Sequence, residues 1–257
     1  MRIGVFDSGI GGVTVLKELR RQFPAHHYLY FGDTANVPYG SKSPTQIRAL
    51  CRDAALRMKT HAIEALVIAC NTAASLALNE FKQVLSPIPI LDVVEAGVES
   101  LMDAIPEGRA PALILGTRAT VRSRIYSDWL RMKSPGIRVF EQECPLLVPL
   151  IEEGWMEHPI LKLTVEEYVR EYRTLDPGTA LLACTHYPWI KTAFEERLPG
   201  WRILDSAGAL AQIAGKRLFL DQDPEPDSMR SVAWFFSDPD ALSRHILEET
   251  GALPSKF

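Results

Sequence analysis

A chain of 257 residues with 47% hydrophobic, 9% aromatic and 23% charged residues has an ordinary globular composition, which excludes collagen-like, low-complexity and wholly disordered proteins. Its 28 basic and 32 acidic side chains leave a net charge of −4, a balance that does not point to a nucleic-acid or other polyanion binder. The length provides for one large or two small domains with ample core.

Short runs rich in β-branched residues recur along the chain, each followed by a turn and a helical pattern. They are Ile3–Phe6, His27–Phe31, Ala65–Ala69, Ile88–Val93, Ala112–Leu115, Arg138–Phe140, Ala180–Ala183, Trp201–Leu204 and Val232–Phe236. Runs without polar alternation suit strands buried on both faces of a parallel sheet. Between the first two, residues 12–23 put Val13, Leu16, Leu19 and Phe23 on one helical stripe. Ser43-Pro44-Thr45-Gln46 predicts a helix start with a Ser N-cap, Pro at the first position and a capping-box Gln. Strand–helix alternation from end to end predicts α/β architecture. The apolar residues before Asp7 are too few for a signal peptide, and no run approaches the about 20 residues of a membrane span. The expected location is the cytoplasm, without membrane attachment, where thiols stay reduced.

The four cysteines, 51, 70, 144 and 184, include no CxxC pair, so neither a zinc knuckle nor a thioredoxin motif is present. Two of them share a context. Val67-Ile68-Ala69-Cys70-Asn71-Thr72 and Leu181-Leu182-Ala183-Cys184-Thr185-His186 each place a thiol where a buried strand gives way to polar residues. Each has an earlier counterpart strand, ending at Asp7 and at Thr117. The separations are 63 residues from Asp7 to Cys70 and 67 from Thr117 to Cys184. In open α/β sheets ligands lie beyond the carboxyl ends of strands. Asn71 or Thr72 is expected to cap the following helix and Pro188 to open another, so helix N-termini would lower both thiol pKa values.

Two thiols in matching contexts suit inversion of a stereocentre, with a thiolate base on one face of the carbon and a thiol acid on the other. The pair would hold one proton between them. Developing carbanion charge needs preorganised donors, and Ser8, Asn71, Thr72, Thr117, Thr120 and Thr185 are at hand. The loop Asp7-Ser8-Gly9-Ile10-Gly11-Gly12 fails the dinucleotide fingerprint, having Thr14 where Gly or Ala belongs, and lacks the Gly-Lys of a P-loop. It predicts a tight turn that presents Asp7, Ser8 and backbone N–H groups.

These segments, with Pro38-Tyr39-Gly40-Ser41, Thr117-Arg118-Ala119-Thr120-Val121-Arg122-Ser123, Pro149-Leu150-Ile151-Glu152 and Cys184-Thr185-His186-Tyr187-Pro188, closely resemble the bacterial glutamate racemases, in order and over about residues 3–207. The resemblance implies two similar three-layer α/β domains with mainly parallel sheets facing a central cleft. Their expected extents are 1–97 plus 208–257 and 98–207. It implies a cofactor-independent, metal-free isomerase that interconverts L- and D-glutamate and supplies D-glutamate for peptidoglycan, and a homodimer whose partner is a small-molecule substrate. Cys70 would act on the D-enantiomer and Cys184 on the L-enantiomer. Asp7 and His186 would assist the thiols, with Glu152 nearby. Ser8, Tyr39, Gly40, Asn71, Thr72, Thr185 and His186, together with Asp7, would hold substrate, with Thr117 and Thr120 as lesser additions. The chain departs from the family pattern at Asp92, Gly116 and Ala183. It starts directly at its first strand, so control by a cell-wall precursor through an N-terminal extension is not expected.

The remaining features have plainer readings. Cys51 shares a helical stripe with Ile47, Leu50, Ala54 and Met58, and Cys144 is expected to be structural. The histidines at 26, 27, 61, 158 and 245 lack metal-ligand spacing. The basic stretch 118–138 is expected to be a solvated face. Racemisation of aspartate or turnover of another small diacid, a non-catalytic binding protein on the same fold, and a pyridoxal phosphate enzyme are the alternatives.

Overall fold

Uninterrupted apolar runs become strands covered on both faces in the structure, a computed structural model describing residues 1–105, 110–218 and 232–238. The first half builds β1 (Arg2–Asp7), α1 (Val13–Gln22), β2 (His27–Gly32), α2 (Pro44–Lys59), β3 (Ala65–Ile68), α3 (Asn71–Leu85), β4 (Ile90–Asp92) and α4 (Val93–Ala104). The second builds β5 (Ala112–Gly116), α5 (Arg118–Ser123), α6 (Ile125–Lys133), β6 (Val139–Glu143), α7 (Leu147–Glu152), α8 (Pro159–Val169), β7 (Thr179–Ala183), α9 (Lys191–Arg197) and β8 (Arg202–Asp205). Helix α10 (Ala207–Leu218) then packs on α1 and α4, and β9 (Val232–Phe236) pairs with β2. All nine expected strands form, and all their pairings are parallel.

The sheet orders are β4-β3-β1-β2-β9 and β6-β5-β7-β8. Read from the other edge, the second is β8-β7-β5-β6, the order β4-β3-β1-β2 of the first. The echo between the cysteine contexts is therefore a repeat of topology: Asp7 and Gly116 end equivalent strands, and Cys70 and Cys184 follow equivalent strands. These ends form the carboxyl edges of parallel sheets, where α/β folds place their ligands.

Alternation along the central strands divides the core. Ala112, Ile114, Leu181 and Ala183 face a core continuous with the first sheet, whereas Leu113, Leu115, Ala180 and Leu182 face a second one under α7, α8 and α9. Each fully buried Leu or Ile contributes about 1.5–3 kcal/mol by leaving water. Helix α4 is a shared strut, packed on α10 and against α6 and β7. Its Gly97 allows the approach: a Cβ there would lie 2.9 Å from Leu181 and 3.0 Å from the Tyr126 ring.

Local chemistry sets the helix starts. Ser43 and Gln46 form the expected capping box on α2. Asp92 passes straight from β4 into the N-cap of α4, where Oδ1 accepts from the N–H groups of Val94 and Glu95 at 2.9 and 3.0 Å. That cap gives the departure at Asp92 a structural use. Gly116 is a milder departure, since an added Cβ would meet Thr120 and Val121 methyl groups at 3.4 Å. Among the described residues no helix is long and apolar enough to cross a membrane.

Candidate active site

The carboxyl ends of β1, β3, β5 and β7 converge on one cleft of ≈ 590 Å³, counted to its open mouth. Ser8, Tyr39, Gly40, Cys70, Asn71, Thr72, Thr117, Cys184, Thr185 and His186 all line it. Asp7 lies beneath the surface, fully buried, and Thr120 stands behind Thr117. Arg118 and Cys144 border the cleft as well. Cys144 is buried, with Sγ 3.7 Å from the Gln142 carbonyl, while Cys51 sits in the first core as expected.

On the first-half side, Cys70 is itself the N-cap of α3, accepting from the Ala73 N–H at 3.5 Å and contacting Ser8 Oγ at 3.3 Å. This corrects the expected cap at Asn71 or Thr72. It also overturns the expected drop in pKa. Burial, reinforced by the charge of Asp7, pushes the Cys70 thiol up to about 12, against the opposing bonds from Ser8 and Ala73. A helix N-terminus supplies a fraction of a charge, too little to offset removal from water. Asp7 is likewise raised, chiefly by burial. The charge of His186 and bonds from Gly9, Gly12 and Thr185 pull the other way. Its carboxylate accepts from the Gly9 N–H at 3.0 Å and the Thr185 hydroxyl at 3.2 Å, which ties the two halves together.

The second thiol has a different setting. Cys184 is followed by a 3-10 turn, Tyr187–Ile190, which contains Pro188, and α9 starts only at Lys191. Among the described residues no α-helix N-terminus serves this sulfur. Its neighbour is His186, with Nδ1 4.0 Å from Sγ and Nε2 2.9 Å from Glu152 Oε1. Burial opposes a charged imidazole there, but the bonds to Cys184 and Glu152 outweigh it and hold His186 well above its ordinary pKa. That shift favours the protonated ring.

Contacts across the cleft floor fix the two halves. Thr72 meets Thr117 at 2.9 Å and Thr120 at 3.2 Å, and the last two meet at 3.0 Å. Asn71 Oδ1 accepts from the Tyr126 hydroxyl at 2.6 Å. Glycines permit the closest approaches. A Cβ on Gly11 would lie 2.3 Å from Thr185 Oγ1 and 2.6 Å from His186 Nδ1, and one on Gly40 would lie 2.5 Å from the Thr117 Cβ.

Sequence reasoning missed several partners. Tyr39 lines the cleft with its ring while its hydroxyl donates to Asp33 Oδ2 at 2.5 Å. Asp33 follows β2, and a carboxylate at a strand end was the available signal. Tyr126 lies 55 residues from Asn71, and nothing local in the chain announces the pairing. Arg118 and Arg122 both bond Glu143, and this part of the basic stretch is an ion-paired surface. His158 caps α8 by accepting from the Ile160 N–H. His245 lies outside the described residues. Among the described residues no group of three His, Cys, Asp or Glu could hold a metal ion.

A family model for Asp/Glu/hydantoin racemases matches residues 3–214. Curated glutamate racemases of Chlorobaculum tepidum and Syntrophus aciditrophicus are each 40% identical to the chain, covering 87% and 88% of it and 83% of either relative. The crystal structure of Francisella tularensis glutamate racemase in complex with D-glutamate matches with a TM-score of 0.89 at 29% identity, covering 99% of this chain and 95% of that one. Glutamate racemase from Thermus thermophilus, in complex with β-chloro-D-alanine, matches at 0.82 and 36% identity, over 99% and 94% of the two chains. With two parallel-sheet α/β domains, a family match over most of its length and glutamate racemases among its relatives, the chain belongs to the Asp/Glu/hydantoin racemase family and is an amino-acid racemase.

Proposed function

We propose that the protein is a glutamate racemase that interconverts L- and D-glutamate without a cofactor, using Cys70 and Cys184 as its two bases. One observation carries the reading: the two thiols follow topologically equivalent strands and line one cleft. One thiolate removes the α-proton, and the opposite thiol returns a proton to the other face of the planar carbanion. Each turnover moves one proton from substrate to one sulfur and one from the other sulfur to product, so the pair holds one proton before and after turnover and two while the carbanion exists.

The two settings differ in a way that suits the two roles. His186, held protonated by Glu152, offers positive charge to the Cys184 sulfur. Buried Cys70, beside Asp7, favours its neutral thiol. These settings suit Cys184 to the role of base toward L-glutamate and Cys70 to that of acid. After one turnover the proton sits on Cys184, and the Cys70 thiolate leans on Ser8 and the Ala73 N–H. Asp7 and His186 assist the thiols. Ser8, Tyr39, Gly40, Asn71, Thr72 and Thr185 hold substrate, and the donors among them not engaged by Asp33 or Asp7 stabilise charge on the α-carboxylate as the proton leaves.

The product suits peptidoglycan synthesis in the cytoplasm, and we assign the enzyme to that supply, as a homodimer. We also propose the domain division 1–97 plus 208–257 and 98–207. Helix α4 runs through its first boundary, and β9 on β2 supports the return of the C-terminal segment. Residues 219–231 and 239–257 of that segment lie outside the described residues. The test is incubation with each enantiomer in deuterated water, followed by optical rotation and α-deuterium incorporation. Exchange and racemisation with both enantiomers of glutamate are expected, with racemisation lost in Cys70→Ser and in Cys184→Ser. Exchange with aspartate alone, or wild-type rates in either variant, would overturn it.

A further inference from the structure

Asn71 carries the side-chain amide of the cleft lining, with separate donor and acceptor ends, and its orientation decides which part of a substrate it can bind. Its Oδ1 accepts from the Tyr126 hydroxyl at 2.6 Å. Its amide nitrogen has no recorded partner among the described residues, and the side chain borders the cleft.

The tyrosine fixes this orientation. Tyr126 is 1% exposed, and the structure records no other acceptor for its hydroxyl among the described residues. A flipped amide would turn NH2 toward that hydroxyl, which could accept from it. The phenolic hydrogen would then be buried without an acceptor, and the Asn71 carbonyl would face the cleft. Leaving a buried donor unpaired is the costlier alternative, so the unflipped amide is held. The phenol has little freedom to adapt, because Gly97 of α4 backs its ring with no room for a Cβ.

We infer that Tyr126 is a positioning residue: by donating to Asn71 Oδ1 it aims the Asn71 NH2 into the cleft, so that Asn71 recognises a carboxylate oxygen of the substrate and not its ammonium. The inference rests on the reading of the cleft as an amino-acid site. It also gives the contact between the halves a role in binding, since Tyr126 stands on α6 and Asn71 opens α3. An amide on one half is set by a phenol on the other.

The test is a double-mutant cycle of Tyr126→Phe and Asn71→Ala, with KM and kcat measured for both glutamate enantiomers and thermal melting as a control. Tyr126→Phe is expected to raise KM about five- to tenfold in both directions, the size of one lost hydrogen bond, with kcat within about twofold of wild type. Added to Asn71→Ala it should change KM no further, since it acts through that amide. Additive effects, or an unchanged KM in Tyr126→Phe, would overturn the inference. If Tyr126→Phe fails to fold, Gly97→Ala replaces it, pressing the phenol off the amide from α4, with the same expected and refuting results. Failure of the glutamate reading shows separately, in wild-type protein inactive on glutamate. The cycle is then run on whichever acidic amino acid is turned over, and turnover of none would overturn both.

Discussion

Replacing Glu152 by Gln tests the setting of the second thiol. The carboxylate lies 2.9 Å from His186 Nε2, and its side chain is 27% exposed. At that separation two unit charges attract by roughly 1.4 kcal/mol in a water-like medium and about 6 kcal/mol at an effective dielectric constant of 20. Partial exposure and the neutral hydrogen bond that Gln retains keep the net loss near the lower figure, about tenfold in the protonation equilibrium. His186 is held above its ordinary pKa, so its charge is present at low pH and lost as pH rises. Without Glu152 that loss comes about one pH unit earlier. The basic limb of kcat/KM should move down accordingly, and activity on the alkaline side should fall about tenfold. Because the two enantiomers of a free amino acid are equal in energy, kcat/KM must fall equally in both directions, which provides an internal control. Circular dichroism progress curves from either enantiomer, across about pH 6 to 10, measure both quantities. A basic limb that stays in place, or kcat/KM within twofold of wild type, would refute the assignment of Glu152 as the partner that keeps His186 charged.

Three further outcomes are expected. Asp7→Asn should melt higher than wild type near neutral pH while losing activity. Burial raises the Asp7 pKa, so the ionised native state is penalised increasingly as pH climbs from the ordinary carboxylate value through the raised one, and the difference should vanish in acid. Equal melting at neutral pH would contradict this. Gly11→Ala should cost about 1–3 kcal/mol of stability and most of the activity, because the new Cβ collides with Thr185 and His186; wild-type turnover in that variant would show that the halves meet differently. Asp92→Ala removes two capping bonds from α4 and should cost about 1 kcal/mol, or roughly 2–4 °C of melting temperature in a domain of this size. Asp92→Asn, which keeps the acceptor, should lose less, and comparable losses in the two would refute the cap.

The central strands were legible because each has an apolar run that meets the requirement of a sheet covered on both faces, whereas β6, with Glu141, Gln142 and Glu143, is an edge strand half-buried along its length. The capping box at Ser43 was legible because its partners are three residues apart. Cys70 and Cys184 were found through matching local contexts, which the strand orders now express as a repeated fold. What the chain did not disclose are quantities summed over distance. The high pKa of Cys70 reflects the burial of the whole β3 end together with a charge from Asp7, neither of which is a property of the tetrapeptide around it. The pairing of His186 with Glu152 spans 34 residues and that of Tyr126 with Asn71 spans 55, and both depend on how the elements dock. Local pattern locates chemistry at the strand ends; only packing tells which neighbours modify it.

The three threonines at the cleft floor bear on how the enzyme responds to its medium. Thr72, Thr117 and Thr120 close a ring of neutral hydroxyls, and its hydrogens can run in either sense around the ring. Parting the halves there trades these bonds for bonds to water at little net gain or loss, and separates no ions. A clasp of this kind is indifferent to ionic strength and has nothing to titrate over the working range. Salt therefore bears on the approach of a charged substrate and on the His186–Glu152 pair, and leaves this fastening alone.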